Sequence, residues 1–137
     1  MSFVIRKIIS SSKCPRPLAP YSQAVVADRT VYCSGVIGID LNEPKLVAGG
    51  ASAQAAKALE HLANLLNDAG SGIDKVVKTT VLLADMNDYA AVNDEYKRFF
   101  GNNFPARTCY AVSQLPLGAA VEIEAIGIVG DVKHETS

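Results

Sequence analysis

From Ser52 onward, Ala55, Ala58, Leu59, Leu62, Leu65, Leu66 and Ala69 recur at three- and four-residue spacing. On a period of 3.6 residues they fall in one stripe, so the pattern predicts an amphipathic helix. Ser52 stands where a cap would, and Gly70 and Gly72 supply the permissive backbone that ends a helix. A second helix is predicted by Tyr89, Val92, Tyr96, Phe99 and Phe100. Asn87 and Asp88 are its capping candidates, Gly101 its stop, and Lys97 and Arg98 complement the dipole at its C-terminal end.

Around these helices, residues 3–9, 23–27, 31–37, 76–83, 107–112 and 121–129 are rich in β-branched and aromatic side chains and read as strands. Asp28 and Arg29 are placed to turn a hairpin, although they lack the usual glycine. Pro15, Pro17 and Pro20 keep the chain before Tyr21 extended or turning, residues 40–50 read as a surface loop, and residues 133–137 as a polar, mobile tail. Two helices cover only one face of a sheet of about six strands, yet several strands are apolar on both faces. In residues 121–129, Val121, Ile123, Ala125 and Val129 point one way, while Ile126 and Ile128 join Glu122 and Glu124 on the other. In residues 76–83, Leu82 shares a face with Lys78 and Thr80, opposite Val77, Val81 and Leu83. The uncovered face is therefore expected to meet another subunit.

At 137 residues and 49% hydrophobic, the chain suits a single domain over residues 1–137. Arg6 and Lys7 interrupt the apolar start, so neither a signal-peptide core nor a membrane span is expected, and the protein should be soluble. Three cysteines, Cys14, Cys33 and Cys109, without a Cys-x-x-Cys spacing, fit neither a disulfide framework nor a zinc site. They suit a reducing compartment, the cytoplasm first, with mitochondrial or nuclear presence open. A net charge of −1 with interleaved signs gives no field to attract RNA or DNA.

Arg107 begins a strand just after the loop of Asn103, Phe104 and Pro105. A guanidinium there can grip a carboxylate through two parallel hydrogen bonds, although a solvated or structurally paired arginine is the more ordinary outcome for a lone residue. Glu122 and Glu124 put two carboxylates on one face of an apolar strand. In a cleft, one would need a cationic partner and could then orient and deprotonate water; on an open edge both would be solvated. Ser34-Gly35 interrupts a strand, the mark of a bulge, a close ligand approach or a packing contact. Tyr21 offers a phenol at a turn, or a core ring with a wet hydroxyl. Cys109, two residues beyond Arg107, should line whatever site the arginine lines, most simply as a small hydrophobe. His61, beside the first apolar stripe, and His134, in the tail, sit beside no evident partner, so neither a metal site nor a histidine-driven mechanism is expected.

Taken together, Pro20-Tyr21-Ser22-Gln23-Ala24, Ser34-Gly35, Val77-Lys78-Thr79-Thr80-Val81, Val92-Asn93, Phe104-Pro105-Ala106-Arg107 and Glu122-Ile123-Glu124-Ala125 resemble, in order and nearly end to end, the RidA family of reactive-intermediate deaminases, also called the YjgF family. The resemblance implies a chorismate-mutase-like α+β fold: a six-stranded mixed sheet with two helices on one face, assembled as a homotrimer with active sites between subunits. It implies hydrolysis of reactive 2-imino or enamine acids, such as 2-iminobutanoate and 2-iminopropanoate, to 2-oxo acids and ammonia, with no metal or other cofactor. Position by position, it makes Arg107 the substrate-carboxylate anchor and Glu122 the acid that handles the attacking water. Tyr21, Ser34, Gly35, Asn93 and Cys109 match pocket positions. Val36, where many relatives have glutamine, and the unusual loop 40–47 bear on substrate preference, for which small side chains are the expectation.

Three other functions compete. An RNA-directed endoribonuclease or translation inhibitor finds little physical support, because cleavage at a 2′-hydroxyl wants an acid and a base beside a cationic phosphate site. A carboxylate-binding sensor or chaperone module would use Arg107 but has no use for an anion beside its ligand, which Glu122 would be. A pericyclic mutase on the same fold would call for several cations.

Overall fold

The computed structural model describes residues 2–137. Six strands and two helices alternate along the chain: β1 (Arg6–Ile9), β2 (Ala24–Ala27), β3 (Thr30–Ile37), α1 (Gly50–Asp68), β4 (Val76–Leu83), α2 (Tyr89–Phe100), β5 (Ala106–Ala111) and β6 (Val121–Ile128). They form one sheet in the order β1-β2-β3-β6-β4-β5, in which only β4 and β5 run parallel. This is the mixed six-stranded α+β sheet expected from the sequence. The last strand enters between β3 and β4, so it joins the N-terminal hairpins to the β4-α2-β5 crossover.

Alternation decides which face is buried. Along β6, Val121, Ile123 and Ala125 are sealed against the helices while Glu122, Glu124 and Ile126 point away. From α1, Leu59, Leu62, Leu65 and Leu66 meet them in one core with Val31, Val81 and Leu83. Each such side chain contributes roughly 1.5–3 kcal/mol by leaving water. The one buried polar pair in this layer is satisfied, since the hydroxyls of Thr79 on β4 and Tyr96 on α2 lie 2.7 Å apart.

Three local expectations are corrected. Ser52 makes no cap to α1, whose capping position is Gly49; its hydroxyl donates instead to Glu95 of α2 at 3.0 Å, tying the helices together. Neither Asn87 nor Asp88 caps α2 through its side chain; Asp85 accepts from the Asn87 amide at 2.9 Å and caps a short 3-10 turn, Met86–Asp88, that leads into the helix. Val77 does not share the buried face of Val81 and Leu83, because β4 shifts register against β6 between Val76 and Lys78 and leaves it 48% exposed. The Asp28-Arg29 turn forms as expected, with Ala27 paired to Thr30 and Asp28 at a φ of 56° in place of the missing glycine.

Both helices lie against one face. On the other, Tyr32 and Tyr110 are half-exposed, and Ile126, Ile128 and Leu82 are only partly covered.

Candidate active site

Glu122 rises from β6 on the face the helices leave bare, with Ile37 of β3 and Leu82 of β4 as its cross-strand neighbours. The register of β3 shifts between Cys33 and Val36, so Ser34 and Gly35 form an irregularity beside it. The glycine leaves room for the acid: a Cβ on Gly35 would lie 2.5 Å from Glu122 Oε1 and 2.8 Å from its Cδ, so any larger residue would displace the carboxylate. Ser34 ties down the preceding loop, its amide donating to the Gln23 carbonyl at 2.9 Å and its hydroxyl to the Ser22 carbonyl at 2.6 Å. That places Tyr21 over the same groove, about 390 Å³, whose walls also include Pro116 and Glu124. Burial pushes the Glu122 carboxyl above the usual glutamate range, and the negative charge of Glu124 adds to the shift. Among the described residues, no cation pairs with it.

Arg107 occupies a different pocket. It opens the edge strand β5, and its side chain lies against α2, where Nη1 donates to Asn93 Oδ1 at 2.8 Å and Nη2 to the Tyr89 hydroxyl at 3.1 Å. The guanidinium carbon stands 4.8 Å from the centre of the Tyr96 ring. Residues 89, 93 and 96 are one helix face, so a single turn-by-turn repeat supplies all three contacts. Both hydrogen-bond acceptors are neutral, and no carboxylate among the described residues pairs with the arginine, so its charge is oriented without being cancelled. Asn93, Lys97, Phe104 and Pro105 complete a cleft of about 410 Å³.

The structure thus brings Tyr21, Ser34, Gly35 and Glu122 into one groove, and Asn93 and Arg107 into another. Arg107 neighbours Thr79, which neighbours Ala125, whereas Glu122 is three residues from Ala125 along β6. The two charged groups therefore lie on opposite faces of the sheet, and within one chain they share no pocket. Cys109 follows Arg107 on the same strand face but packs against the hydrophobic core and does not line the arginine's cleft, contrary to expectation. Burial pushes its thiol up, offset in part by Arg107, so it stays protonated at neutral pH.

His61 does have a partner: its ring is buried and Nε2–H donates to the Ile39 carbonyl at 2.7 Å. Burial lowers its pKa, which keeps it neutral and structural. Among the described residues, no group of three or more histidine, cysteine, aspartate or glutamate side chains is placed to hold a metal ion, and no helix is long and apolar enough to cross a membrane. Tyr89, Tyr96 and Pro116 were not singled out from the sequence as site residues; the helical spacing of the two tyrosines around Asn93 was the available signal.

A family model described as endoribonuclease L-PSP matches residues 11–129. The chain belongs to this family, the RidA family. Among RidA-family relatives, the RutC family protein UK114 of Drosophila melanogaster is 54% identical over 136 residues, 99% of each chain. A Homo sapiens protein named 2-iminobutanoate/2-iminopropanoate deaminase is 51% identical over 130 residues, 95% of each chain. The crystal structure of E. coli TdcF with bound serine matches with a TM-score of 0.86 at 33% identity, covering 90% of this chain and 99% of that one. Both the fold and nearly the whole length of the chain are thus those of RidA-family proteins.

Proposed function

We propose that this protein hydrolyses 2-imino acids to 2-oxo acids and ammonia, at a site completed by a second copy of the chain within a homotrimer. One observation carries the assembly: each pocket holds unmatched charge of a single sign, Arg107 and Lys97 in the cleft under α2 and Glu122 and Glu124 in the groove across the sheet. A closed ring of copies, each laying its β5 edge and Arg107 cleft against the neighbour's bare face, would give every Glu122 an arginine and cover the half-exposed tyrosines and the partly covered Ile126 and Ile128. The deaminase activity is supported by the 51% identity to the human protein of that name.

In such a site Arg107 binds the substrate carboxylate through its free N–H groups. Substrate C2 then faces the neighbour's Glu122 groove. The carboxylate of Glu122 accepts a proton from water as the oxygen bonds to C2 of the protonated imine. The same proton passes to nitrogen in the tetrahedral adduct. The C–N bond breaks as the hydroxyl oxygen forms the carbonyl, and its proton leaves through Glu122, releasing ammonia and the 2-oxo acid. Tyr21 and the Ser34-Gly35 backbone enclose the reacting carbon. An imine is already electrophilic, so positioning and one base suffice.

RNA cleavage lacks comparable support: the buried, neutral His61 and the tail residue His134 leave no acid and base beside Arg107. Three free thiols, two of them buried, suit the reducing cytoplasm.

The test has two steps. Imine generated in situ by an amino-acid oxidase should disappear faster with the protein present. Arg107→Ala and Glu122→Gln chains should each keep about a hundredth of the activity or less alone, yet regain about one functional site in four when unfolded together and refolded as mixed trimers. No recovery on mixing, with each variant folded and trimeric, sinks the composite arrangement.

A further inference from the structure

The Glu122 groove adjoins a second cavity, of about 260 Å³, and Tyr21, Ser34, Gly35, Ile37 and Pro116 line both. Beyond these shared walls it is closed by the buried Leu65, Ile39 and Cys14, with Leu18 and Leu117 exposed at its rim. Apart from the exposed Tyr21 and Arg16, its polar side chains are already engaged. Gln23 accepts from the Ser11 amide at 2.5 Å and donates to the carbonyls of Ser11, Cys14 and Pro15. The Ser34 hydroxyl is bonded to Ser22. Only Arg16, exposed, brings a charge to the lining. A cavity whose polar groups are satisfied from behind favours an apolar occupant.

Leu117 adds an independent observation. It sits at φ 58° and ψ 17°, in the left-handed region that a branched side chain enters at a steric cost, followed by Gly118 at φ 71°. The turn is closed by backbone bonds alone, Gly118 N–H to the Leu115 carbonyl at 3.1 Å and Ala119 N–H to the Pro116 carbonyl at 3.0 Å. Glycine would make the same turn without strain, so what leucine contributes is its side chain at the cavity rim.

We infer that this cavity receives the hydrocarbon side chain of the 2-imino acid, with Leu117 as the residue that closes over it, and that chains of three or four carbons are preferred to methyl. The inference rests on the deaminase reading above and names the substrate class of that site. A methyl group would leave most of the space to water, at about 30 Å³ per molecule, against apolar walls. Each methylene that displaces it should raise kcat/KM about fourfold.

The measurement is kcat/KM for 2-iminopropanoate, 2-iminobutanoate, 2-iminopentanoate, 2-iminohexanoate and 2-iminoglutarate, each generated from its amino acid by an oxidase. The wild-type series should climb through 2-iminohexanoate. Leu117→Gly should cut the ratio of 2-iminohexanoate to 2-iminopropanoate about tenfold, and Leu18→Ser should lower it less. A purely structural role for Leu117 would change thermal stability and leave that ratio alone. Hydrolysis of 2-iminopropanoate with a flat or falling series, an unmoved ratio in Leu117→Gly, or a preference for 2-iminoglutarate assignable to Arg16 overturns the pocket and leaves the deaminase reading standing. A wild-type protein that hydrolyses none of the five overturns both.

Discussion

In the cleft under α2, Arg107 is held by Asn93 and Tyr89 and stacked near Tyr96, so its cation is fixed in place by neutral partners. Across the sheet, Glu122 is half-buried beside a second carboxylate, with Gly35 pared back to make room for it. The first pocket is organised and lacks only an anion. The second carries an electrostatic penalty that a cation would relieve. The core hydroxyls of Thr79 and Tyr96 find each other within the chain, whereas these two charges find no counter-charge in it. Charge held in place without a counter-charge is a signature of chemistry that needs a substrate, a second copy, or both.

The contrast breaks most visibly at Arg107. Arg107→Ala should lower kcat/KM roughly 10³-fold in the imine assay, because the substrate carboxylate then enters the site without its fixed partner. Glu122→Gln should cost roughly 10²-fold, mostly in kcat with KM nearly kept, since the amide fills the groove and cannot take a proton. Steady-state kinetics of the two variants should therefore split KM from kcat, and identical losses in both parameters would erase the distinction drawn between the pockets. Asn93→Asp should raise KM roughly tenfold, by supplying inside the cleft the anion that Arg107 now lacks. The smallest effect is on assembly. Glu122 titrates above the ordinary glutamate range in the separated protomer, and a neighbour's guanidinium would lower that value. A group whose pKa falls on association favours the assembled state above its protomer pKa and stops doing so as pH drops through it. Sedimentation velocity should show the proposed trimer loosening as acidification protonates Glu122, and the Glu122→Gln protein should lose that part of the dependence.

Much of this was visible in the amino-acid order. The alternation of Val121, Glu122, Ile123, Glu124 and Ala125 predicted which side chains of β6 face the helices, and the stripe from Ala55 to Ala69 predicted α1. Local patterns worked because each depends on one element's own period. Val77 escaped because a bulge depends on how β4 pairs with β6, which lies far along the chain. Ser52 has a cap residue's chemistry, but Glu95 on α2 offers its hydroxyl a partner that no nearby residue reveals. The separation of Arg107 from Glu122 is of the same kind. Parity within each strand was readable, but their relative faces follow from two registers across β4, and Cys109 turned to the core with them. Tyr89 and Tyr96 looked like helix packing residues until β5 put a guanidinium against them.

Because the Glu122 carboxylate occupies the volume that a side chain on residue 35 would need, the size of one residue sets the position of the other. A methyl group at residue 35 would push the carboxylate out of its present position, so Gly35→Ala should cost activity more than fold, and a shorter acid at residue 122 should relieve the crowding.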